Sequence, residues 1–257
     1  MLRLVTIPIS HYCEKARWAL GRAGLPYREE RHVQGIHRIA ARRAGGGRTV
    51  PVLVTPAGAL GESAEILAWV DERTPPGRRL FPPEGHQRAQ VERLCARLDE
   101  RLGPPGRRLM YTHMLPQREL MLRVNNQGVP RWEDRLMRHG WRLALRYARR
   151  ELGIRPGVEE EDEAAVWREF DYAAELLADG REHLCGQRFG AADLTFAALS
   201  AAVLVPPVYA VQLPQPGQMA PRTAALIERF RAHPAGRYAL ALFEQEHPRA
   251  SLRGSAG

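Results

Sequence analysis

Two spacings of apolar residues organise the first 72 residues of the chain, one typical of strands and the other of helices. Residues 2–9 predict a strand, and the stretch from Cys13 to about Ala23 predicts a helix that ends at Gly24. The charged run Tyr27–Val33 alternates in polarity and predicts a second strand near a sheet edge. The remaining elements are a weak helix at 35–44, strands at 49–55 and 59–60, and a helix that opens at 61–63 and runs to about Glu72. The order β-α-β-α-β-β-α predicts an α/β domain.

The pattern changes after two proline-rich stretches, 74–77 and 82–85, and only helical spacing follows. We therefore place an α/β domain at residues 1–76, a linker at 77–87, an all-helical domain at 88–250 and a tail at 251–257. Trp132 and Trp141 are assigned to packing. Helices are predicted at 86–102, 106–122, 132–152, 159–178, 190–204, 221–232 and 235–246.

Charge narrows the classes of partner. The formal net charge is +9, and Lys15 is the only lysine, so the other basic residues are arginines. These arginines are spread widely among Glu and Asp, which favours a solvated surface over a nucleic-acid groove. Lys15 is expected to pair with an acidic residue near it or in the second domain. We expect no nucleic-acid partner.

Cysteine usage and the longest uncharged stretch bear on location. Three widely separated cysteines form no zinc-binding spacing and fit a reducing cytosol, and no signal peptide is recognised. The uncharged residues 194–221 include polar residues and several prolines. They predict a buried core helix ending near Pro206 instead of a membrane span. We therefore expect a cytoplasmic protein with no metal and no membrane partner.

The turn between the first strand and the first helix carries the candidate chemistry. Ser10 lies just before the helical pattern, and Cys13 follows three residues later. A helix N-terminus presents unpaired N–H groups and a partial positive charge, so it stabilises an anion such as a thiolate.

Three short motifs together carry a resemblance to a known family. They are the Ser10-x-x-Cys13 turn, Val50-Pro51 before a strand and Glu62-Ser63 before a helix. With the β-α-β-α-β-β-α order, this combination resembles the thioredoxin-like half of glutathione transferases, and the all-α remainder resembles their second domain. Residues 103–160 fit least well. Arg188–Thr195 resembles the capping motif of the family's core helix, with Gly190 at the cap and Asp193 reaching back to its N–H.

The resemblance implies roles for these residues. Ser10 would contact the glutathione sulfur, and the Val50 backbone would pair with the cysteinyl unit like an added strand. Pro51 falls at a cis-proline position. Glu62 would meet the γ-glutamyl ammonium, and Ser63 would meet its carboxylate.

Other assignments stay open at this stage. Arg38 and Arg48 are candidates for the glycine carboxylate, and Thr49 is a further polar contact. Cys13 is either a redox thiol or an inert buried one. His11 is expected to be an exposed turn residue, with proton transfer or ligand contact as the alternatives. A pocket for a small electrophile would involve His11, Met110, Tyr111 and Met114, with His113 nearby, although such clusters also occur in plain cores.

The function implied is conjugation of reduced glutathione to a small hydrophobic electrophile, with Ser10 stabilising the thiolate. Glutathione is a co-substrate, no bound cofactor is expected, and the resemblance implies a homodimer. One alternative is a glutathione-dependent thiol transferase or reductase that uses Cys13. Another is a non-catalytic binding protein of the same fold.

Overall fold

The computed structural model describes residues 1–248, so the predicted tail lies outside the described residues. A four-stranded sheet has the order β2-β1-β3-β4. β1 pairs with β2 in parallel and with β3 antiparallel, and β3 pairs with β4 antiparallel. β2 therefore lies at an edge, as its charged sequence predicted. The strands are β1 Leu2–Thr6, β2 Tyr27–Arg31, β3 Val52–Thr55 and β4 Gly58–Leu60.

Helices make up most of the remaining described chain, which confirms a thioredoxin-like α/β part followed by an all-α part. Short 3₁₀ turns occupy Pro76–Arg78 and Pro216–Gln218. The helices of the first part are α1 His11–Ala23, α2 His37–Arg43 and α3 Ser63–Glu72. Those of the second part are α4 His86–Arg101, α5 Gly103–Met114, α6 Arg118–Asn125, α7 Arg131–His139, α8 Trp141–Leu152, α9 Val158–Leu177, α10 Ala191–Leu204, α11 Pro221–Ala232 and α12 Pro234–Gln245.

Two of the predicted long helices are each divided into two helices in the structure, so these two predictions were wrong. The helix predicted at 106–122 ends at Met114 and restarts at Arg118, on either side of Pro116, which lacks the N–H that a helix interior needs. The helix predicted at 132–152 is divided at Gly140 into α7 and α8. In the other direction, α5 begins earlier than predicted, because its prolines stand in the first turn, where helices tolerate them.

Helix α10 forms the centre of the second part and is almost entirely buried. It packs against α1, α4, α5 and α12. Asp193 is fully buried and accepts hydrogen bonds from the backbone N–H groups of Gly190 at 2.7 Å and Leu184 at 2.8 Å, and from the Tyr238 hydroxyl at 2.6 Å. The predicted bond to Gly190 is therefore present, and Asp193 also fixes the preceding loop and α12.

Helix α1 joins the two parts of the molecule. The Lys15 ammonium is fully buried and lies 2.7 Å from Asp99 Oδ2 on α4, as the expected pairing with the second domain requires. On the same helix, Trp18 Nε1 donates to the backbone carbonyl of Glu246 at 3.1 Å. Over the described residues, no helix is long and apolar enough to cross a membrane.

Candidate functional site

Ser10 caps helix α1 at the point where the chain leaves β1. Its backbone is extended, and its Oγ accepts a hydrogen bond from the backbone N–H of Cys13 at 3.3 Å. The Ser10 carbonyl accepts the first helical bond, from Glu14 N at 2.9 Å. Because Oγ acts here as an acceptor, its own O–H can be donated to an anion in front of the helix.

A buried arginine holds the chain that leads into this turn. The Arg17 guanidinium donates to the carbonyls of Ile7 and Pro8, each at 3.1 Å, and pairs with Glu14 at 3.0 Å and Glu29 at 2.7 Å. Burial alone would raise the pKa of Glu29, but the charges of Arg17 and Arg31 and hydrogen bonds from Arg31 and Thr6 lower it to about 2. The position of Ser10 thus depends on an ionised carboxylate beneath the turn.

This network predicts an acid-sensitive stability. The folded-state pKa of Glu29 lies below its ordinary value, so its contribution is complete above about pH 4.5 and is lost as pH falls toward about 2. The loss should be on the order of 3 kcal/mol in unfolding free energy. Urea unfolding between pH 6 and pH 3 should show about 2 kcal/mol of this loss, because the remainder falls below pH 3. Glu29→Gln should be less stable at pH 6 and flatten the profile. Glu30→Gln on the same strand is the control, because its partner Arg3 is more exposed and a surface pair contributes little. An unchanged pH profile in Glu29→Gln would contradict the assignment.

Ser10 opens onto a cleft of about 250 Å³ between the two parts of the molecule. Of the predicted site residues, the structure brings Ser10, His11, Arg38, Arg48, Thr49, Val50 and Tyr111 into its lining. The wall from the second part also contains Arg107, Tyr147, Ala148, Glu151 and Leu152.

Cys13 faces the protein interior. It is fully buried, and burial raises the pKa of its thiol despite the charge of Arg17 and hydrogen bonds with Ser10 and Ile7. A buried, protonated thiol is a poor nucleophile. Cys13 does not line the cleft into which Ser10 opens.

Three predicted glutathione-binding residues lie at one end of the sheet, outside the lining of this cleft: Pro51, Glu62 and Ser63. The Val50–Pro51 peptide bond is cis. Since β3 and β4 pair Leu53 with Leu60, the residues just before Leu53 and those just after Leu60 lie at the same end of the strand pair. Glu62 is exposed at the N-cap of α3, and Ser63 is the buried first residue of that helix.

The two candidate carboxylate-binding arginines differ in their surroundings. Arg38 forms an ion pair with Glu151 of α8, and its guanidinium lies 5.3 Å from the ring centre of Tyr147. Arg48 is exposed, and among the described residues no acidic group lies within ion-pair distance of it. Arg48 is therefore the more available of the two.

A second, apolar cavity of about 80 Å³ adjoins the cleft. The two share Ile9, His11, Arg107 and Tyr111. Met110 and Met114 line the cavity and are also nearly buried, so they belong both to the cavity wall and to the core. His113 instead lies 3.0 Å from Glu159, away from the cavity. The remaining lining residues are Met121, Val124, Ala201, Ala202, Val205, Tyr209, Leu213, Pro214 and Met219.

The expectation that His11 is exposed was wrong. Its side chain is 3% exposed, because the start of α5 packs over the turn. Burial, with help from the charge of Arg107, lowers the pKa of His11 to about 3, so the imidazole is neutral at pH 7. Its Nε2 is buried with no hydrogen-bond partner among the described residues. His11 can therefore offer a hydrogen bond at the junction of the cleft and the cavity, but it cannot act as an acid there.

Sequence reasoning missed several lining residues. Arg107 is exposed at the junction of cleft and cavity, and no carboxylate pairs with it in the part of the chain that the structure describes. Gln34 donates to the Tyr111 hydroxyl at 2.6 Å across the cleft. Arg107 lies one turn before Tyr111, so helical spacing could have found it. Within the described residues, no cluster of His, Cys, Asp or Glu is arranged to hold a metal ion.

Comparison with known proteins identifies the architecture. Residues 4–79 match the family model of the glutathione S-transferase N-terminal domain. Glutathione transferase F2 from Populus trichocarpa superposes with a TM-score of 0.63 at 14% identity over 100% of both chains. The β-etherase LigF from Sphingobium sp. strain SYK-6 gives 0.58 at 16% identity, covering 93% of this chain and 98% of its own. A glutathione transferase from Methylococcus capsulatus gives 0.53 at 18% identity, covering 95% and 98%. No curated protein sequence matches the chain. At these identities, the structural likeness shows a shared fold.

Proposed function

We propose that the protein is a glutathione transferase that conjugates reduced glutathione to small hydrophobic electrophiles, with Ser10 stabilising the thiolate. The observation that carries the proposal is the position of the Ser10 hydroxyl. It caps α1 and opens onto a cleft that adjoins an apolar cavity, while Cys13 is buried behind it. We further propose a cytoplasmic homodimer, as the resemblance implies.

The chemistry asked of Ser10 is modest. A thiol with an ordinary pKa near 8.5 is only about 3% ionised at pH 7, and lowering that pKa by two units requires about 2.7 kcal/mol of preferential stabilisation of the thiolate. A donated hydroxyl hydrogen and the N-terminus of α1 can together supply this amount. The Arg107 guanidinium, at the junction of cleft and cavity, adds positive charge near the sulfur.

The reaction then needs no further acid or base from the protein. The thiol proton leaves to solvent, the sulfur electron pair forms a carbon–sulfur bond, and the leaving group departs with its own electron pair. Neutral His11, with a pKa of about 3, is too weak a base to take the thiol proton. The methionine-rich cavity would hold the apolar body of the electrophile beside the sulfur.

The proposed placement of glutathione uses the rest of the predicted set. The Val50 backbone would pair with the cysteinyl unit, Thr49 would contact it, and Arg48 would meet the glycine carboxylate. Glu62 and Ser63, at the same end of the strand pair as Val50, would bind the γ-glutamyl group. Arg38 would reach the ligand only by leaving Glu151.

Ser10→Ala should lower kcat/KM for an activated aryl chloride by at least about tenfold, because the thiolate loses its hydroxyl donor. The pH at which the rate is half-maximal should rise, since the bound thiol would ionise less readily. Steady-state kinetics from pH 5 to pH 9 measure both effects, and retention on immobilised glutathione checks that the variant still binds.

Cys13→Ser is the matched control at the other end of the same turn. Conjugation should survive this change, whereas reduction of mixed disulfides would disappear if Cys13 were the working thiol. Undiminished turnover in Ser10→Ala would remove Ser10 from its proposed role. An absence of glutathione binding in calorimetry of the unmodified protein would leave the non-catalytic alternative in its place.

A further inference from the structure

Helices α7 and α8 carry an unusual concentration of exposed large apolar side chains. Trp132 is 58% exposed and Leu136 is 55% exposed on α7, and Leu143 is 67% exposed and Tyr147 is 37% exposed on α8. The expectation that Trp132 packs in the core was therefore wrong, whereas Trp141 does pack against it. In the described chain, the other exposed large apolar side chains are Met1 and Ile39 alone. We call Trp132, Leu136, Leu143 and Tyr147 the apolar stripe.

The spacing of the stripe places its members on shared helix faces. Trp132 and Leu136 are four residues apart, as are Leu143 and Tyr147, so each pair lies on one face of its helix. The opposite sides of α7 and α8 are anchored: Met137 packs with Val33 and Leu122 in a small core. The stripe therefore belongs to fixed helices. Trp132, Leu136 and Leu143 face solvent, and Tyr147, the least exposed member, stands at its end beside the cleft and the Arg38 guanidinium.

Each member of the stripe has a basic side chain one helical turn further on. Arg135, His139, Arg146 and Arg150 follow the four apolar residues by three positions each, and all four are exposed. Six arginines on these helices have no carboxylate within ion-pair distance among the described residues: Arg131, Arg135, Arg142, Arg146, Arg149 and Arg150.

The acidic residues of the two helices do not offset this charge at the surface of the stripe. Glu133 is fully buried and accepts from Val33 N at 2.9 Å while contacting His32 at 2.7 Å. Asp134 pairs with Arg138, and Glu151 pairs with Arg38. The surface around the stripe is therefore apolar side chains bordered by unpaired guanidinium groups.

We propose that α7 and α8 form a docking surface for an anionic lipid bilayer, on which the protein binds peripherally. A helix with a strongly basic face beside exposed Trp, Tyr and Leu lies in the plane of a membrane interface, with its apolar face at the acyl boundary and its arginines at the headgroup phosphates. This revises the expectation of no membrane partner and involves no membrane-spanning segment. The proposal does not depend on the glutathione chemistry.

Charge complementarity favours an anionic bilayer over a second copy of the chain or a nucleic acid as the partner of this surface. A second copy docking through the same face would bring two sets of unpaired arginines together, which like-charge repulsion opposes. A nucleic acid would satisfy the arginines, but its phosphates would give Leu136 and Leu143 no apolar surface to enter. A bilayer that contains anionic lipid satisfies both kinds of side chain.

The test is co-sedimentation of the full chain with phosphatidylcholine vesicles that contain or lack phosphatidylglycerol. Binding should need the anionic lipid and weaken as salt rises. The pair Leu136→Ser with Leu143→Ser and the pair Arg142→Glu with Arg146→Glu should each lower the partition coefficient by about tenfold or more. Arg93→Glu with Arg101→Glu makes the same change in net charge on exposed positions of α4, and it should alter the coefficient less than about threefold.

Several results would overturn the proposal. They are equal binding to vesicles with and without phosphatidylglycerol, equal losses in the α4 control and the α8 pair, no binding to either vesicle, and a dimer that the serine variants dissociate. Salt-sensitive binding to RNA that the glutamate variants abolish, without vesicle binding, would assign the surface to nucleic acid instead. Urea midpoints of all variants should match the parent, because every substituted side chain is exposed.

Discussion

Replacing Asp99 by Ala is expected to destabilise the protein by about 3–5 kcal/mol, because it leaves a buried ammonium group without a counter-charge. Lys15 is fully buried, and both of its short contacts, at 2.7 and 2.9 Å, are to the Asp99 carboxylate. The carboxylate is partly exposed and can be hydrated, whereas the ammonium cannot. Urea unfolding at pH 7 measures the loss.

A double-mutant cycle makes this prediction specific. Lys15→Met combined with Asp99→Ala should be more stable than Asp99→Ala alone, because removal of the ammonium also removes the uncompensated charge. Glu92→Ala is the control on the same helix: Glu92 pairs with Arg88 at the surface, and its loss should cost only about 0.3 kcal/mol. A double variant less stable than Asp99→Ala would contradict the buried-charge argument.

Asp193→Ala is expected to lower the free energy of unfolding by about 3–5 kcal/mol, because it leaves buried hydrogen-bond donors without an acceptor. The change strands two backbone N–H groups, of Leu184 and Gly190, and the Tyr238 hydroxyl, all within 2.8 Å of the carboxylate. Each buried donor without an acceptor costs about 1–3 kcal/mol. The sequence alone predicts only the capping bond to Gly190, which supports a loss of about 1 kcal/mol.

Thermal and urea unfolding of this variant should be compared with Tyr238→Phe, which removes one donor and leaves the carboxylate in place. Tyr238→Phe should cost about 1 kcal/mol. Asp179→Ala is the exposed control: Asp179 pairs with Arg181 at the surface, and little change is expected. A loss in Asp193→Ala no larger than that in Tyr238→Phe would mean that the Leu184 and Gly190 bonds contribute nothing.

The fold could be predicted largely from the sequence because its first 72 residues and its core helix have local signatures. Gly24, in the left-handed conformation, ends α1 as predicted, and the charged β2 lies at the sheet edge. The stretch 103–160 was predicted less well. Pro116 and Gly140 interrupt patterns whose apolar spacing looks continuous, and spacing by itself does not show where a helix bends.

The site was predictable where its residues follow one another closely along the chain, and less so where they meet across it. Ser10, Thr49 and Val50 come from short motifs and line one cleft. The burial of His11 depends on the start of α5, about ninety residues away, and the pairing of Arg38 depends on Glu151 of α8. No local pattern around His11 or Arg38 encodes these neighbours.

Several side chains along helix α1 each contact a different residue in the second part of the molecule. The Glu14 carboxylate accepts a hydrogen bond from the Ala210 N–H and contacts His247. Lys15 pairs with Asp99, and Trp18 donates a hydrogen bond to a backbone carbonyl just after α12. These side chains are buried because the helical part covers them. The α/β part is therefore not an interchangeable module. If this part were joined to a different helical domain, Trp18 would be exposed, and Glu14 and Lys15 would be buried without these partners unless Asp99, Ala210 and His247 were transferred as well. The two parts are therefore constrained to change together in evolution and in design.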